Sequence, residues 1–391
     1  MRNCPLKEAA SDSPHQTAIL SKDLSFTFSE LDQYVDKISL SNEWIKISGA
    51  LSIETIATFF AAWRQNKTIF PINTKVPIHL DEIQHSQGQS LLLRTSGSTG
   101  KPKIAVLSMG NLLYSAQTAI KPLDLRPNDQ WLLSLPLYHV GGIGIVMRCI
   151  LARATIVLGD SPNITHLSCV PTHLYRSSPI YKKLRCLLLG GAPIPHIPKN
   201  LPIYTTYGLT EMSSLVTLNK KPLIGREIQI GNNGEILVKG PPLFQGYLGE
   251  KKQEDWFATG DLGDFQDGKL TIIGRKDWMF ISGGENIQPE EIEQELLMFS
   301  DILEAVVIPK NDPEFGKRPV AFLKVLTQIN IRQIQTTLQN RLPKYKIPIS
   351  FHILDEIPKI NGFKINRFIL SQIANYQLDE KNSGQKKPAY L

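Results

Sequence analysis

From residue 91 to about residue 207, short apolar runs alternate with longer stretches of helical character, the pattern that stacked βα units leave in a sequence. Apolar runs at 104–107, 131–134, 154–158, 167–170, 184–189 and 203–206 predict buried strands, and 111–119 and 143–151 predict helices between them. Pro136, Gly159, Pro171 and the pair Gly190 and Gly191 punctuate the joints. After Gly231 the texture turns β-rich. Residues 234–239 alternate as a strand does, and Asp267-Gly268 between two strand-like runs predicts a tight hairpin. From Lys276 a smaller unit is expected, with helices near 289–298 and 331–342 and strands near 304–308, 320–325 and 350–354. The fold class is therefore α/β: a large N-terminal domain of stacked βα sheets with a β-rich end, then a small α+β C-terminal domain.

Composition narrows the class without choosing a function. The chain has 391 residues, 42% hydrophobic and 20% charged, enough for a large core and more than one domain. A net charge of +7 favours anionic ligands in general. No dense basic run is interleaved with aromatics, so nucleic acid is not the expected partner. Cys4, Cys149, Cys169 and Cys186 lie far apart and form no CxxC pair, which argues against a disulfide framework and a zinc site and for a reducing cytoplasm. Residues 1–20 lack the apolar core of a signal peptide. Residues 140–158, the most apolar region, are interrupted by Arg148 and Arg153 and suit a buried helix and strand better than a membrane span. The stretch 381–387 reads as a disordered polar tail.

The first chemistry-bearing string is Arg94-Thr95-Ser96-Gly97-Ser98-Thr99-Gly100-Lys101-Pro102-Lys103. Glycines let a backbone approach an anion, hydroxyls and N–H groups can hold phosphate oxygens, and lysine neutralises their charge. It is no Walker A loop, since Pro102 follows Lys101 where a hydroxyl residue is required. Taken alone it could equally be a polar hairpin. Further strings follow: Gly190-Gly191-Ala192-Pro193, Tyr207-Gly208-Leu209-Thr210-Glu211, Thr259-Gly260-Asp261, Gly274-Arg275-Lys276-Asp277, and Lys364 near the C-terminus. With Asp267-Gly268 as a two-residue turn, Asp261 and Arg275 become diagonal neighbours, as a simple cross-strand salt bridge would also require.

Together and in this order, these strings resemble the acyl-adenylate-forming (AMP-binding) superfamily of acyl-CoA ligases, luciferases and peptide-synthetase adenylation domains. The resemblance implies ATP, Mg²⁺ and coenzyme A as cofactors and gives each string a role. Thr95, Ser96, Gly97, Ser98, Thr99, Gly100 and Lys101 would hold phosphates. Gly190, Gly191 and Ala192 would lie along the adenine, with Tyr207 and Gly208 on its other side. Thr210 would contact the α-phosphate and Glu211 would coordinate the metal. Asp261 and Arg275 would hold the ribose hydroxyls, and Asp277 would be the hinge of a mobile C-terminal domain. Lys364 would bridge carboxylate and α-phosphate, while Gly283 and Gly284 would line the pantetheine channel. Relatives usually carry glycine just before that lysine; here Phe363 stands there and Gly362 comes one residue early. Relatives also carry a longer segment before the phosphate loop, and the shortening is expected between residues 73 and 91.

The acid is sought along Pro136-Leu137-Tyr138-His139-Val140-Gly141-Gly142, where His139 should face the acyl pocket; as a lone histidine it could also be a satisfied core residue. Amino-acid-activating relatives place an aspartate near this point, so an amino acid is disfavoured. Residues 135–142 with Arg148, residues 170–176, residues 207–212 and residues 317–322 are most similar to the o-succinylbenzoate–CoA ligases of menaquinone synthesis, which are among the smaller ligases. Such a substrate has a second carboxylate, so Arg148 is the candidate that sets substrate charge, an exposed helix charge being the alternative. Other readings stay open: another aryl- or fatty-acid ligase, an enzyme loading a carrier-protein thiol, or a non-catalytic ATP-binding relative. The domains are expected at 1–275 and 276–376 with a tail at 377–391, the oligomeric state being open to a homo-oligomer.

Overall fold

The computed structural model describes residues 4–74, 90–95, 103–169, 184–191, 201–251, 253, 255–360 and 364–376. The chain divides into two compact units. Among the described residues, the first holds everything up to 259 together with 264–271, and the second holds 260–263 and the chain from 272 onward.

The first unit holds a nine-stranded and a five-stranded sheet, together with strands Glu227–Ile230 and Glu235–Lys239 of a four-stranded one. Across the larger, the order is Lys221–Pro222, Ser214–Leu218, Ile203–Leu209, Cys186–Gly190, His166–Cys169, Gln130–Leu132, Thr155–Leu158, Thr17–Ser21 and Ser25–Thr27. The middle strands pair in parallel. Parallel strands covered on both faces are apolar throughout, which is why Leu187, Leu188 and Leu189 are all buried. Helix Val140–Ala152 packs against helix Met109–Ile120 and against strands Thr155–Leu158 and Ser214–Leu218. It is buried nearly all round, Arg148 included, as a sequence apolar on every other face demands, and it stops where Arg153 turns left-handed at φ +58°. Helix Met109–Ile120 starts with a capping box between Ser108 and Asn111.

Two findings go beyond the sequence pattern. Residues 4–74 add three helices and four strands, and Thr17–Ser21 joins the large sheet beside Thr155–Leu158. The second sheet orders as Gly246–Tyr247, Lys103–Ser108, Ser90–Thr95, Thr68–Ile72 and Trp44–Ser48. The strand expected at 203–206 continues to Leu209, because Ser214–Leu218 folds back and pairs with it across a bulge at Tyr207 and Gly208. The hairpin expected at Asp267-Gly268 is present, with φ +52° and +69° at the two residues, the signature of a type I′ turn.

The second unit contains a three-stranded sheet, Ile302–Asp312, Gly316–Val325 and Ser350–Ile353, flanked by helices Pro289–Leu296, Ile331–Gln339 and Arg367–Tyr376. Apolar side chains line both faces: Val307, Ala321 and Leu323 on one, Val306, Val320 and Phe322 on the other. One buried ion pair fastens the last helix. Arg367 lies 2.6 Å from Glu293, donates to the Val307 carbonyl at 2.8 Å, and stacks 4.1 Å from the Trp278 ring centre. Burial pushes the Glu293 carboxyl up, and Arg367 draws it back. Removing one partner of such a pair costs far more than the pair contributes, because the other charge stays buried. Arg367→Ala should lower unfolding free energy by about 3 kcal/mol, read by urea denaturation with a probe in the second unit; a loss below about 0.5 kcal/mol would mean that the Glu293 site collapses around a neutral acid.

Candidate active site

Parallel strands deliver their carboxyl ends to one edge of the sheet, where open α/β proteins bind ligands. Cys186–Gly190 ends there at Gly190 and Gly191, and Gly190 pairs with Thr206 on the neighbouring strand. Tyr207 and Gly208 follow on that strand. A Cβ at Gly208 would stand 2.2 Å from the Ser214 carbonyl oxygen, so the bulge closes only over glycine. The chain then makes a short 3-10 turn, Thr210–Met212, and leaves it through Ser213 and Ser214 at φ +55° and +110°.

Four hydrogen bonds hold this strained turn. Ser115 Oγ donates to the Ser213 carbonyl at 2.7 Å, and Ser213 Oγ to the Pro242 carbonyl at 2.7 Å. The Phe244 N–H donates to the Glu211 carbonyl at 2.8 Å, and the Tyr247 hydroxyl to Glu211 Oε1 at 2.8 Å. The Tyr247 hydroxyl thus fixes one carboxylate oxygen of Glu211. Among the described residues no group of three metal-binding side chains occurs. A single oriented carboxylate suits Mg²⁺, which takes one or two protein oxygens and completes its shell with phosphates and water.

The strands that flank the hydroxyl-rich string, Ser90–Thr95 and Lys103–Ser108, pair antiparallel. Thr95 and Lys103 are register partners, and Thr95 Oγ1 donates to the Lys103 carbonyl at 3.2 Å. Ser96, Gly97, Ser98, Thr99, Gly100 and Lys101 lie outside the described residues, as do Ala192, the 170–176 string, the stretch between 75 and 89, Phe363 and the tail. Lys103 Nζ is 2.9 Å from Glu250 and 4.5 Å from the Tyr247 ring centre. The short strand Gly246–Tyr247 therefore touches both the base of the loop and the carboxylate of Glu211.

Helix Val140–Ala152 begins at His139, whose ring lies 4.7 Å from that of Tyr138. Burial lowers the imidazole pKa and favours the neutral ring. Two turns on, Arg148 is 1% exposed rather than a solvated helix charge. Its guanidinium sits 4.8 Å from the Trp131 ring centre, and its Nε and Nη1 have no hydrogen-bond partner among the described residues. Burial draws its pKa down to about 10, so it stays charged at neutral pH. Gly144 opens the slot: a Cβ there would come 3.1 Å from Arg148 Nη2 and 3.2 Å from Ser214 Oγ. A buried cation with unsatisfied donors calls for an anion.

In the second unit, Arg275 Nη1 lies 2.9 Å from Asp261 Oδ1 and Nη2 lies 3.2 Å from Asp277 Oδ2. The guanidinium covers Gly260, which has φ +74° and where a Cβ would be 2.8 Å from Nη2. The hairpin thus brings together the two residues that were diagonal on paper. Asp277 lies in the 3-10 turn Lys276–Trp278. Gly283 and Gly284, at φ +57° and +87°, form the turn between Phe280–Ser282 and Glu285–Ile287. Lys364 opens strand Lys364–Ile365 and pairs with Ile360; its side chain is outside the described set. Sequence reasoning missed Tyr247, Trp131 and Ser214. The Gly246–Tyr247 strand is two residues long, too short to carry a period.

An open sheet with glycine-lined strand ends and a carboxylate turn at the same edge suits a nucleotide-binding α/β protein. Residues 81–248 match the family described as AMP-binding enzyme, and residues 291–364 match its C-terminal domain. The chain is 37% identical over 307 residues to 2-succinylbenzoate–CoA ligase of Salmonella typhimurium, spanning 71% of this chain and 67% of that one. It resembles o-succinylbenzoate CoA synthetase of Bacillus subtilis in complex with the acyl-adenylate intermediate OSB-AMP, with TM-score 0.81, 25% identity and 99% of both chains covered. The same enzyme in complex with ATP and magnesium ion gives TM-score 0.79 and 26% identity over 93% of this chain and 98% of that one. The chain belongs to the AMP-binding enzyme family. Gly208→Ala should cost about 2–3 kcal/mol, measured by chemical denaturation, since the bulge has no room for a methyl group; unchanged stability would show that the turn can re-form.

Proposed function

We propose that this chain is an ATP-dependent carboxylate–CoA ligase acting on o-succinylbenzoate, the aryl dicarboxylate of menaquinone synthesis, in the cytoplasm. One observation supports the substrate class above others. Arg148 is a buried guanidinium with open donors, next to the turn that carries Thr210 and Glu211. A monocarboxylic fatty acid would leave that charge without a partner once its single carboxylate is spent on the adenylate. A second carboxylate on the substrate gives it one.

The reaction has two halves. The acid's carboxylate oxygen attacks the α-phosphorus of ATP, forming the acyl-adenylate and expelling pyrophosphate. A thiol of coenzyme A then attacks the acyl carbon, forming the thioester and releasing AMP, with the thiol proton passing to solvent. Charge builds on the phosphorus oxygens in the first half, and the Lys364 ammonium stabilises that state more than the ground state. Thr210 donates to the α-phosphate, and the loop from Thr95 to Lys101 holds the outgoing phosphates. Glu211 would hold Mg²⁺, which would supply charge neutralisation to the phosphates. Tyr207 with Gly190, Gly191 and Ala192 holds the adenine, and Asp261 with Arg275 holds the ribose. His139, neutral through burial, lines the acyl site and adds no second cation beside Arg148. Domains at 1–275 and 276–376, with a hinge at Asp277, free Lys364 to withdraw before thiol attack, while Gly283 and Gly284 line the pantetheine path. Among the described residues no helix is long and apolar enough to cross a membrane.

Incubation with ATP, Mg²⁺ and a panel of aryl, dicarboxylate and fatty acids should release pyrophosphate best with o-succinylbenzoate and yield its CoA thioester; ATP binding without pyrophosphate release for any acid would overturn the ligase reading. Lys364→Ala should slow ATP–pyrophosphate exchange by about 10²–10³-fold with little change in ATP affinity. Arg148→Ala should raise KM for the dicarboxylate by about 10–100-fold while leaving a monocarboxylic analogue unaffected, and an unchanged KM would remove Arg148 from substrate recognition.

A further inference from the structure

We propose that Tyr247 is a positioning residue for the divalent cation that accompanies ATP, acting through Glu211; the inference rests on the metal-ligand role given to Glu211 above. A glutamate on a three-residue 3-10 turn has three rotatable side-chain bonds and nothing in its own turn to fix them. Here the carboxylate is pinned from outside. The Tyr247 hydroxyl donates to Oε1 at 2.8 Å, while the Phe244 N–H, three residues earlier on the same segment, donates to the Glu211 carbonyl at 2.8 Å. Side chain and main chain of Glu211 are therefore gripped by one stretch of chain.

That stretch is itself rigid. Gly246 and Tyr247 pair with Val106 and Ala105 on the strand that leaves the phosphate loop. The Tyr247 ring packs edge-on against Phe244 at 4.9 Å and meets Phe257 at 6.4 Å. Lys103, the first described residue after the loop, lies 4.5 Å from the ring centre and 2.9 Å from Glu250. One aromatic ring thus sets the distance between the base of the phosphate loop and the carboxylate. With Oε1 occupied by the phenol, Oε2 presents to a cation in a single orientation, as outer hydrogen bonds do for metal ligands generally. Tyr247→Phe removes only the hydroxyl and keeps the ring, the lysine contact and the strand pairing.

The test is calorimetric titration of ATP into the full chain without acid or coenzyme A, in Mg²⁺ and again in EDTA, with wild type, Tyr247→Phe and Glu211→Gln. The expected result is about 10-fold weaker ATP binding for Tyr247→Phe in Mg²⁺, no change in EDTA, and an unchanged unfolding temperature. Glu211→Gln should weaken binding in Mg²⁺ by at least as much. If Glu211→Gln weakens Mg²⁺-dependent binding and Tyr247→Phe does not, the tyrosine is not a positioning residue and the role of Glu211 stands. If neither variant alters the Mg²⁺ dependence, the role of Glu211 falls and this inference with it. An equal loss in both buffers, with a lower unfolding temperature, would make Tyr247 a purely structural contact and also overturn the proposal.

Discussion

Parallel pairing in the large sheet is the constraint from which the rest of the first unit follows. Once His166–Cys169, Cys186–Gly190 and Ile203–Leu209 run side by side in one direction, their carboxyl ends must share an edge. Two of them end in glycine-containing strings, and the last reverses at once into Ser214–Leu218. That reversal forces positive φ at Ser213 and Ser214, conformations disfavoured for residues with a Cβ. The strain persists because serine hydroxyls and the 242–247 segment hold the turn from both sides. A turn so held can present Thr210 and Glu211 without reorganising when a ligand arrives, the preorganisation that electrostatic catalysis requires.

Two buried arginines in this unit show how burial separates scaffold from site. Arg226 and Arg148 are both held down to a pKa of about 10 by burial. Arg226 donates to the carbonyls of Leu215 and Ile224 and to Ser115, so its donors are used up in tying helix Met109–Ile120 to the strand Ser214–Leu218. Arg148 meets a ring face and a glycine instead. The first is a clamp. The second keeps Nε and Nη1 without partners among the described residues, which is what the proposed role in substrate recognition rests on. Burial also pushes the Cys169 and Cys186 thiols up to about 12, which disfavours their thiolates.

The second unit is organised around a different balance. Arg275 divides its guanidinium between Asp261 and Asp277, and Arg367 divides its own between Glu293, a carbonyl and Trp278. Asp277 and Trp278 are adjacent, so both arginines act on the short turn Lys276–Trp278. If that turn is the hinge, its conformation is set by charge-assisted contacts that can be exchanged, with little apolar burial to lose: none of its three residues is buried.

Much was legible before any coordinates. Strand-length apolar runs are short-range facts: those between 104 and 189 became strands within a residue or two of their expected bounds, the run at 203–206 extended to Leu209, and the Asp267-Gly268 hairpin formed, because turn chemistry and alternation act over a few residues. The family could be read from motif order alone. What the sequence could not decide was anything that depends on a partner distant along the chain. Residues 17–21 pair locally with 25–27 but join the large sheet only through the 155–158 strand. Tyr207 and Gly208 lie on a strand only because Ser214–Leu218 returns to pair with it, and Arg148 changes from a charge on a helix to a buried cation only when Trp131, Gly144 and Ser214 close around it. Local propensity is written residue by residue, whereas burial and the orientation of a carboxylate are properties of contacts among segments roughly 10 to 140 residues apart, which only the folded chain creates.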